Sequence, residues 1–142
     1  MKVLWQPTPE QIKKTNMTSF INMVNKKYGI TIDSYAELYE WSIQDIADFW
    51  AAMWQFGGII SSQVYNDVLH DGEDMLAARW FEGARLNFAQ NLLRYRDDHI
   101  ALVAVDERGK SREITYAELY DQVAGMAQAL RQAGIKAGDR VA

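Results

Sequence analysis

Three capping boxes decide where helices begin in this sequence, and they constrain its fold more than any other feature. In a capping box, a Ser or Thr and a Glu or Gln three residues later satisfy free N–H groups of a helix's first turn. The sequence pairs Thr8 with Gln11, Ser34 with Glu37, and Thr115 with Glu118. These pairs predict a mainly α chain in which helices follow each of the three hydroxyl residues.

The spacing of apolar residues predicts how the first helices continue. A further helix start lies at Thr15 or Asn16, and Gly29 suits a left-handed residue that ends this helix. One face of this helix repeats at intervals of three and four residues, through Met17, Phe20, Ile21, Val24 and Tyr28. The helix that follows Ser34 is expected to run to about Trp41.

A wide aromatic stripe marks the next predicted helix. Ser42 is a suitable N-cap, Asp45 places negative charge in the first turn, and Gly57-Gly58 ends the helix. The stripe consists of Ile43, Ile46, Phe49, Trp50, Met53 and Trp54. We interpret it as the core of a small helical domain together with a docking face. The alternative is a functional surface for an apolar ligand or a partner helix.

The stretch between residues 59 and 98 carries weaker signals and the best candidate for a domain boundary. Ile59–Ser62 is compatible with an extended segment, and His70-Asp71-Gly72 indicates a turn. Trp80–Gly83 is expected to be a break before a helix from about Asn87 to Tyr95. All five tryptophans lie before residue 81, whereas only Tyr116 and Tyr120 are aromatic after residue 96. We therefore predict one domain over residues 1–98 and another over residues 99–142.

After this boundary the pattern changes to strand and helix in alternation. Ile100–Val105 is a short apolar run, Asp106–Lys110 supplies a turn, and Ser111–Ile114 returns as the second strand of a hairpin. The helix after Thr115 has one apolar face and ends at Gly134; its face comprises Leu119, Val123, Met126, Ala127 and Leu130. Gly138–Ala142 is expected to open another strand, so the pattern predicts an α/β domain that has begun and is incomplete.

Composition excludes several classes of function. The chain has no cysteine, which removes disulfides, thiolate nucleophiles and Cys-based zinc sites. Its net charge of −4 disfavours nucleic acid and anionic membrane surfaces. The first residues lack the apolar region of a signal peptide, and no apolar run approaches the roughly 18 residues of a membrane span. We therefore expect a cytoplasmic protein without nucleic-acid or membrane partners.

Residues able to carry chemistry are present, but their spacing favours structural roles. His70 and His99 do not have the spacing of a metal-binding pair. Asp45 and Asp48 are typical of first-turn charge, and Asp106–Lys110 fits a hairpin turn better than a phosphate loop. Neither G-x-x-x-x-G-K-[ST] nor G-x-G-x-x-G occurs. We predict no catalytic, cofactor-binding or metal-binding residue in this chain.

Taken in order, several segments resemble the acetoacetyl-CoA synthetase branch of the adenylate-forming acyl-CoA ligases. The segments that carry the resemblance are Leu4–Thr8, Tyr39–Ser42, Asp48–Trp50, Arg79–Arg94, Glu113–Leu119 and Gly134–Ala142. The last two occur across the whole superfamily, and Trp80–Asn87 is shared with acetyl-CoA and propionyl-CoA synthetases. The continuation to Arg94 is more specific to the acetoacetyl branch, although Gln90 stands where that branch has Glu.

The resemblance implies a helical N-terminal domain followed by the opening hairpin and helix of an adenylation domain. Such ligases use ATP and Mg²⁺ to convert a carboxylic acid to an acyl-adenylate, and then pass the acyl group to CoA. Their active-site positions lie beyond the segments present here, so the resemblance implies a non-catalytic piece whose partner is the rest of its own adenylation domain. Alternatives are a piece of an acetyl- or propionyl-CoA synthetase, a stand-alone helical interaction module, and a homo-oligomer formed through an exposed docking face.

Overall fold

The computed structural model of the protein describes residues 4–109 and 111–141. Its contacts divide the chain into two compact units, residues 1–86 and residues 87–142. The first unit contains four helices and one small hairpin, and the second contains a short helix, a hairpin and a long helix. Mainly helical structure, with a hairpin and helix near the end of the chain, agrees with the predicted fold class.

The helices of the first unit begin where the capping residues predict. They are α1 (Pro9–Lys13), α2 (Asn16–Tyr28), α3 (Tyr35–Gln44) and α4 (Ile46–Phe56). Thr8 and Ser34 form complete capping boxes, and the Thr15 side chain accepts a hydrogen bond from the N–H of Thr18. Gly29 ends α2 in the left-handed conformation, with φ 67°. These predictions are confirmed because each depends on chemistry within a few residues.

The predicted role of Ser42 is wrong. α3 continues past Trp41 to Gln44, and Asp45 is the N-cap of α4. The Ser42 hydroxyl donates to the Tyr39 carbonyl oxygen at 2.7 Å, as a serine within a helix does. The chain leaves the helix only at Asp45, whose φ of −109° and ψ of 57° separate the two helices.

The core of the first unit lies between α2, α3 and α4. Its buried members are Phe20, Val24, Ile32, Leu38 and Ala52. Asn25 fastens the segment after α2 to this core, because its amide donates to the Ile32 carbonyl at 3.0 Å and accepts from the Ile32 N–H at 2.9 Å. Such a paired amide leaves the backbone of the buried Ile32 fully bonded.

A hairpin follows the helices where the sequence predicted only a turn and a break. Strand β1 (Asp67–His70) pairs antiparallel with β2 (Arg79–Glu82), with Leu69 opposite Trp80. The predicted turn after His70 is confirmed. The predicted break at Trp80–Gly83 is wrong, because three of these four residues lie in β2. Ile59–Ser62 forms no strand, and Gln63 makes an isolated bridge to Arg85.

The second unit contains α5 (Phe88–Leu92), β3 (Ile100–Val105), β4 (Ser111–Thr115) and α6 (Tyr116–Gln132). The predicted hairpin is confirmed: β3 and β4 pair antiparallel, with Val103 opposite Glu113. The Thr115 capping box that starts α6 is confirmed as well. The helix predicted from Asn87 to Tyr95 is shorter, because Asn87 caps it and Leu93, with ψ 25°, already leaves the helical conformation.

The strand predicted at Gly138–Ala142 does not form in its described part, residues 138–141. Lys136 donates its N–H to the Asp139 carboxylate at 2.7 Å, and the Asp139 N–H returns to the Lys136 carbonyl at 3.1 Å. Gly138 has a φ of 99° within this turn. The local turn therefore takes up the Asp139 N–H, a backbone group that a strand would pair with a neighbour.

The capping box of α3 makes stability depend on pH. The Glu37 carboxylate accepts the N–H groups of Asp33 and Ser34 at 2.7 and 3.1 Å, and the backbone bond from Asp33 is the main cause that lowers the pKa of Glu37. A carboxyl whose pKa is lower when folded stabilises the fold above its unfolded pKa and loses this effect as the pH falls. Glu37→Gln is therefore expected to lower the Tm at pH 7 and to differ less from the wild type near pH 3, about a unit below the ordinary glutamate pKa.

Thermal unfolding followed by circular dichroism at several pH values measures this dependence. Glu40→Gln is the matched control, since Glu40 is an exposed carboxylate of the same helix outside the capping box. A Tm difference between wild type and Glu37→Gln that stays constant from pH 7 to pH 3 would show that the charge of Glu37 plays no part.

Candidate functional site

The two histidines lie in separate exposed polar clusters. His70 is 4.0 Å from the Asp67 carboxylate and 3.6 Å from that of Asp71, and Arg79 links Asp71 to Glu82 across the hairpin. All these side chains are about half exposed, so water screens the pairs and each contributes at most about 1 kcal/mol. The cluster therefore supports the β1–β2 hairpin.

His99 forms a local pair with Asp97 in the second unit. Its Nδ1 is 3.0 Å from the Asp97 carboxylate, which also accepts the His99 N–H at 3.1 Å. This backbone hydrogen bond is the main cause that lowers the pKa of Asp97. The backbone of His99 also contacts the start of α6: its carbonyl oxygen accepts the N–H of Tyr116 at 3.0 Å. Within residues 4–109 and 111–141, no three His, Asp or Glu side chains are grouped as metal ligands.

First-turn charge was predicted for Asp45 and Asp48, and at the start of α4 this is right for Asp48 and wrong for Asp45. Asp45 is the N-cap without a side-chain hydrogen bond, and Asp48 lies in the first turn. The Tyr28 hydroxyl donates to the Asp48 carbonyl oxygen at 2.9 Å and so ties α2 to α4. Burial is the main cause that raises the pKa of Tyr28, and the negative charge of Asp48 adds to it. The arrangement is a contact between two helices.

The predicted hairpin turn forms in its described part, residues 106–109. Gly109 has a φ of 74°, and the Asp106 carboxylate accepts two hydrogen bonds from the Arg108 guanidinium at 3.2 and 3.0 Å. A phosphate loop directs its backbone N–H groups at an anion. Here the carboxylate already takes the Arg108 N–H at 2.9 Å, so this turn does not have that form. Lys110 lies outside the described residues.

Ile43 lies in α3, so its predicted place in the aromatic stripe of the next helix is wrong. The part of the stripe that lies on α4 divides into three environments. Phe49 and Met53 pack against the buried core. Trp50 remains partly exposed and meets Trp80 edge to face at 5.7 Å. Trp54 packs with the hairpin instead of the core. The predicted core role is therefore right for part of the stripe, and the remainder fixes α4 to β2.

Sequence patterns did not reveal the partners of Trp54, which are Tyr65 and Phe81. Ring centroids lie 4.8 Å apart for Trp54 and Phe81, 5.3 Å for Tyr65 and Phe81, and 5.2 Å for Trp54 and Tyr65. We call these three residues the aromatic triad. Phe81 has a φ of 49°, which a bulky side chain rarely adopts, so packing in the triad must offset backbone strain.

An apolar groove opens beside the core of the first unit. Its volume is about 290 Å³. It is lined by Asn16, Met17, Phe20, Leu38, Phe49, Met53 and Phe56. Only Asn16 among these residues carries a polar side chain, so the groove has no set of donors and acceptors that would orient a polar ligand. It is a gap at the edge of the helix packing.

A second apolar groove, of about 300 Å³, lies within the second unit. Its lining comes from α5, β3 and the first half of α6: Ala89, Leu92, Leu93, Ala101, Leu102, Tyr116, Leu119 and Val123. Leu93 is the only buried core residue of this unit among the described residues, and no residue of α6 is buried. Apolar side chains that belong in a core therefore face open space in this unit.

The buried core of the first unit and the single buried residue described in the second predict that the two units differ in local stability. Segments with few buried apolar contacts open at low free energy and exchange their amide hydrogens fast. In the isolated 142-residue chain, β3, β4 and α6 are expected to exchange about tenfold or more faster than α2 and α4. Hydrogen exchange read by mass spectrometry measures both sets in one sample. Equal protection of the two sets would show that the second unit has a sufficient core of its own.

Comparisons with known proteins match both units. Residues 35–92 match the family described as the acetyl-coenzyme A synthetase N-terminus, and residues 88–142 match the family of AMP-binding enzymes. Over 99% of its length, the chain is 42% identical to an acetoacetyl-CoA synthetase from Xenopus tropicalis, of which it covers 21%. It is also 38% identical to a malonamoyl-CoA synthetase from Penicillium aethiopicum, with 20% of that protein covered.

A solved structure also matches the chain over nearly its whole length. The acetoacetyl-CoA synthetase from Streptomyces lividans matches 99% of this chain and 22% of its own, with a TM-score of 0.84 and 37% sequence identity. The chain thus spans about a fifth of the length of these relatives. Among the described residues, no helix has both the length and the apolar character that crossing a membrane requires.

The matches confirm the resemblance seen in the sequence. They follow the predicted order, with the synthetase N-terminal region first and the AMP-binding region after it. The identity to acetoacetyl-CoA synthetases extends over nearly the whole chain and includes both units. Over nearly its whole length the chain is thus similar to the N-terminal region of acetoacetyl-CoA synthetases, with a segment like the acetyl-coenzyme A synthetase N-terminus followed by a segment like the AMP-binding enzymes.

Proposed function

We propose that this chain is the N-terminal, non-catalytic part of an AMP-forming acid–thiol ligase. The whole enzyme converts acetoacetate, ATP and CoA to acetoacetyl-CoA, AMP and pyrophosphate. The observation that carries the proposal is the 42% identity to an acetoacetyl-CoA synthetase over 99% of the chain. The partners of the chain are then the remainder of its own adenylation domain and, in the whole enzyme, a small carboxylic acid.

The residues described here do not fit the chemistry of ATP and Mg²⁺. Magnesium requires oxygen ligands placed around one point, and ATP requires backbone N–H groups and cations around its phosphates. Five carboxylates lie in exposed local pairs with His70, Arg79, His99 or Arg108, and no three His, Asp or Glu side chains are grouped as metal ligands among the described residues. We therefore assign no step of the reaction, and no site for ATP, Mg²⁺ or CoA, to this chain.

Its role in the proposal is that of a scaffold. We propose a helical domain over residues 1–98 and the beginning of the adenylation domain over residues 99–142. Support for two consecutive domains in this order, though not for the bound at residue 98, comes from the two family matches, which overlap at residues 88–92. The apolar groove beside α6 supports the second part, because the side chains that line it need further strands and helices to cover them.

One of the relatives is a malonamoyl-CoA synthetase, and this favours malonamate as a second candidate substrate. Malonamate and acetoacetate are of similar size, and both carry a carbonyl group two carbons from the carboxylate. The proposal therefore extends to short acids of this type, with acetate and propionate as the alternatives. ATP and CoA are supplied within the cell. We therefore also propose that the protein is cytoplasmic.

Pyrophosphate release with ATP, Mg²⁺ and CoA tests the proposal. The whole polypeptide and the 142-residue chain are each assayed with acetoacetate, malonamate, acetate, propionate or no acid. The expected result is turnover by the whole polypeptide that is fastest with acetoacetate, and none by the 142-residue chain. Turnover by the short chain would contradict its non-catalytic role, and faster turnover with acetate or propionate would contradict the substrate.

A further inference from the structure

Strand β3 has an open backbone edge. It pairs antiparallel with β4 along one edge, and the two form a two-stranded sheet in the described part of the chain. In such a pair, every second residue of a strand directs its N–H and C=O groups away from the partner strand. Residues 100–105 make no backbone hydrogen bond to any described segment other than β4. We call this unpaired row of backbone groups on β3 the open edge.

Both faces of β3 carry apolar side chains that remain exposed. Leu102 lines the apolar groove beside α6 and is 50% exposed. Val103 and Val105 point to the opposite face, because successive side chains of a strand alternate, and they are 58% and 69% exposed. A strand that is apolar on both faces is typical of the interior of a sheet that has layers on both sides. β3 thus has the composition of an interior strand.

Strand β4 has a different composition. Arg112 and Glu113 are exposed and, as neighbours in a strand, point to opposite faces. Charged side chains are among the features that keep an edge strand from pairing with further strands. β4 is therefore suited to the outer edge of a larger sheet, and β3 to a position inside it.

We propose that the open edge of β3 is the docking site for an extended segment in the remaining part of the same polypeptide. The unpaired groups of β3 need a segment whose own backbone groups are free, as in a strand, whereas those of a helix are already bonded. Apolar side chains of this segment then lie beside Leu102 on one face and beside Val103 on the other. The occupant is thus an apolar strand.

The length of the relatives supports this source of the strand. The chain spans 22% of the acetoacetyl-CoA synthetase from Streptomyces lividans, so most of such a polypeptide lies outside these residues. A segment of the same polypeptide also has a higher effective concentration than a second copy of the chain. The inference rests on the proposed function only in assigning this chain to a longer polypeptide. It goes further by naming the edge that receives a strand and the edge that does not.

Residue-resolved hydrogen exchange in the whole polypeptide tests the proposal. Mass spectrometry with electron-transfer fragmentation reads the amides of β3 and β4 one by one. All β3 amides are expected to be protected, whereas every second amide of β4 should exchange about tenfold or more faster than its neighbours. β4 is the internal control, because two residues directly opposite each other in the pair face outward together.

Proline substitutions test whether the outward groups of β3 form hydrogen bonds. Val103 lies opposite Glu113 and Ala104 lies opposite Arg112, so one of these two pairs faces outward, and the exchange pattern identifies it. A strand tolerates proline where the missing N–H would face solvent. Proline at the outward position of β3 is expected to raise exchange at the other outward β3 amides about tenfold or more, whereas proline at its partner in β4 should not. Equal effects of the two prolines would contradict the difference between the edges.

Three further results would overturn the proposal. Fast exchange at every second amide of β3 in the wild-type polypeptide would show that the edge stays open. Slow exchange of all β4 amides would place β4 inside the sheet. Protection of β3 that disappears on dilution would assign the edge to a second copy of the chain. Exchange reads strand pairing and not acyl transfer, so these results do not depend on which acid the enzyme activates.

Discussion

Replacing Phe20 with alanine is expected to destabilise the first unit by about 3–5 kcal/mol, a large part of the stability of a small domain. Phe20 is 5% exposed and lies at the centre of the helix packing. Its ring meets Phe49 and Phe56 edge to face, with centroids 5.9 and 5.2 Å apart. The substitution removes both aromatic contacts and leaves a cavity between α2 and α4 that the surrounding side chains fill only in part.

Urea unfolding followed by tryptophan fluorescence measures this change, since all five tryptophans belong to residues 1–86. Phe88→Ala is the matched control: Phe88 is 75% exposed, and its loss should change the unfolding free energy by less than about 0.5 kcal/mol. If Phe20→Ala does not fold, Phe20→Leu keeps most of the volume and is expected to lose about 1–2 kcal/mol. Unfolding midpoints for both Phe20 variants that equal the wild type would refute the assigned core.

Trp54→Ala is expected to release the β1–β2 hairpin from the helices. Trp54 supplies the ring of the aromatic triad that belongs to α4, while Tyr65 and Phe81 come from the hairpin region. Loss of a well-packed tryptophan costs about 3–5 kcal/mol. The strained backbone of Phe81, which costs about 1–3 kcal/mol, then keeps only Tyr65 of the two rings of the triad that pack against it and can relax.

Hydrogen exchange distinguishes local release from global unfolding. In Trp54→Ala, amides of β1 and β2 are expected to lose protection by a larger factor than those of α2. Trp54→Phe, which retains a ring, should lose less, and Trp5→Ala should change neither region because Trp5 is exposed. Unchanged exchange of β1 and β2 in Trp54→Ala would show that the hairpin is held by something other than the triad.

Local chemistry explains which parts of the fold the sequence predicted. Thr8, Ser34 and Thr115 mark helix starts because each bonds an N–H group only three residues away. The prediction that Ser42 is an N-cap was wrong for a related reason. A serine hydroxyl can bond to a carbonyl oxygen within a helix, as Ser42 does in α3, as easily as it can cap the next helix. Capping chemistry therefore locates helix starts well, but it does not decide between two neighbouring candidates.

Contacts between distant segments explain what the sequence did not predict. The four-residue strand Asp67–His70 shows little alternation of apolar and polar residues, and its partner begins at Arg79, after a long turn. Likewise, the spacing within α4 identified Trp50 and Trp54 as part of a stripe. It contained no information about Trp80 or Phe81, which meet them only in the folded chain.

The path of labelled oxygen tests whether the whole polypeptide is an AMP-forming ligase. In that reaction a carboxylate oxygen of acetoacetate attacks the α-phosphorus of ATP and displaces pyrophosphate. The CoA thiol then attacks the acyl carbon, the bond between that carbon and the bridging oxygen breaks, and AMP leaves with the oxygen. With acetoacetate whose carboxylate oxygens carry a heavy isotope, mass spectrometry is expected to find one labelled oxygen in AMP for each acetoacetyl-CoA formed. Unlabelled AMP, or label recovered in inorganic phosphate with ADP as the nucleotide product, would contradict the proposed function.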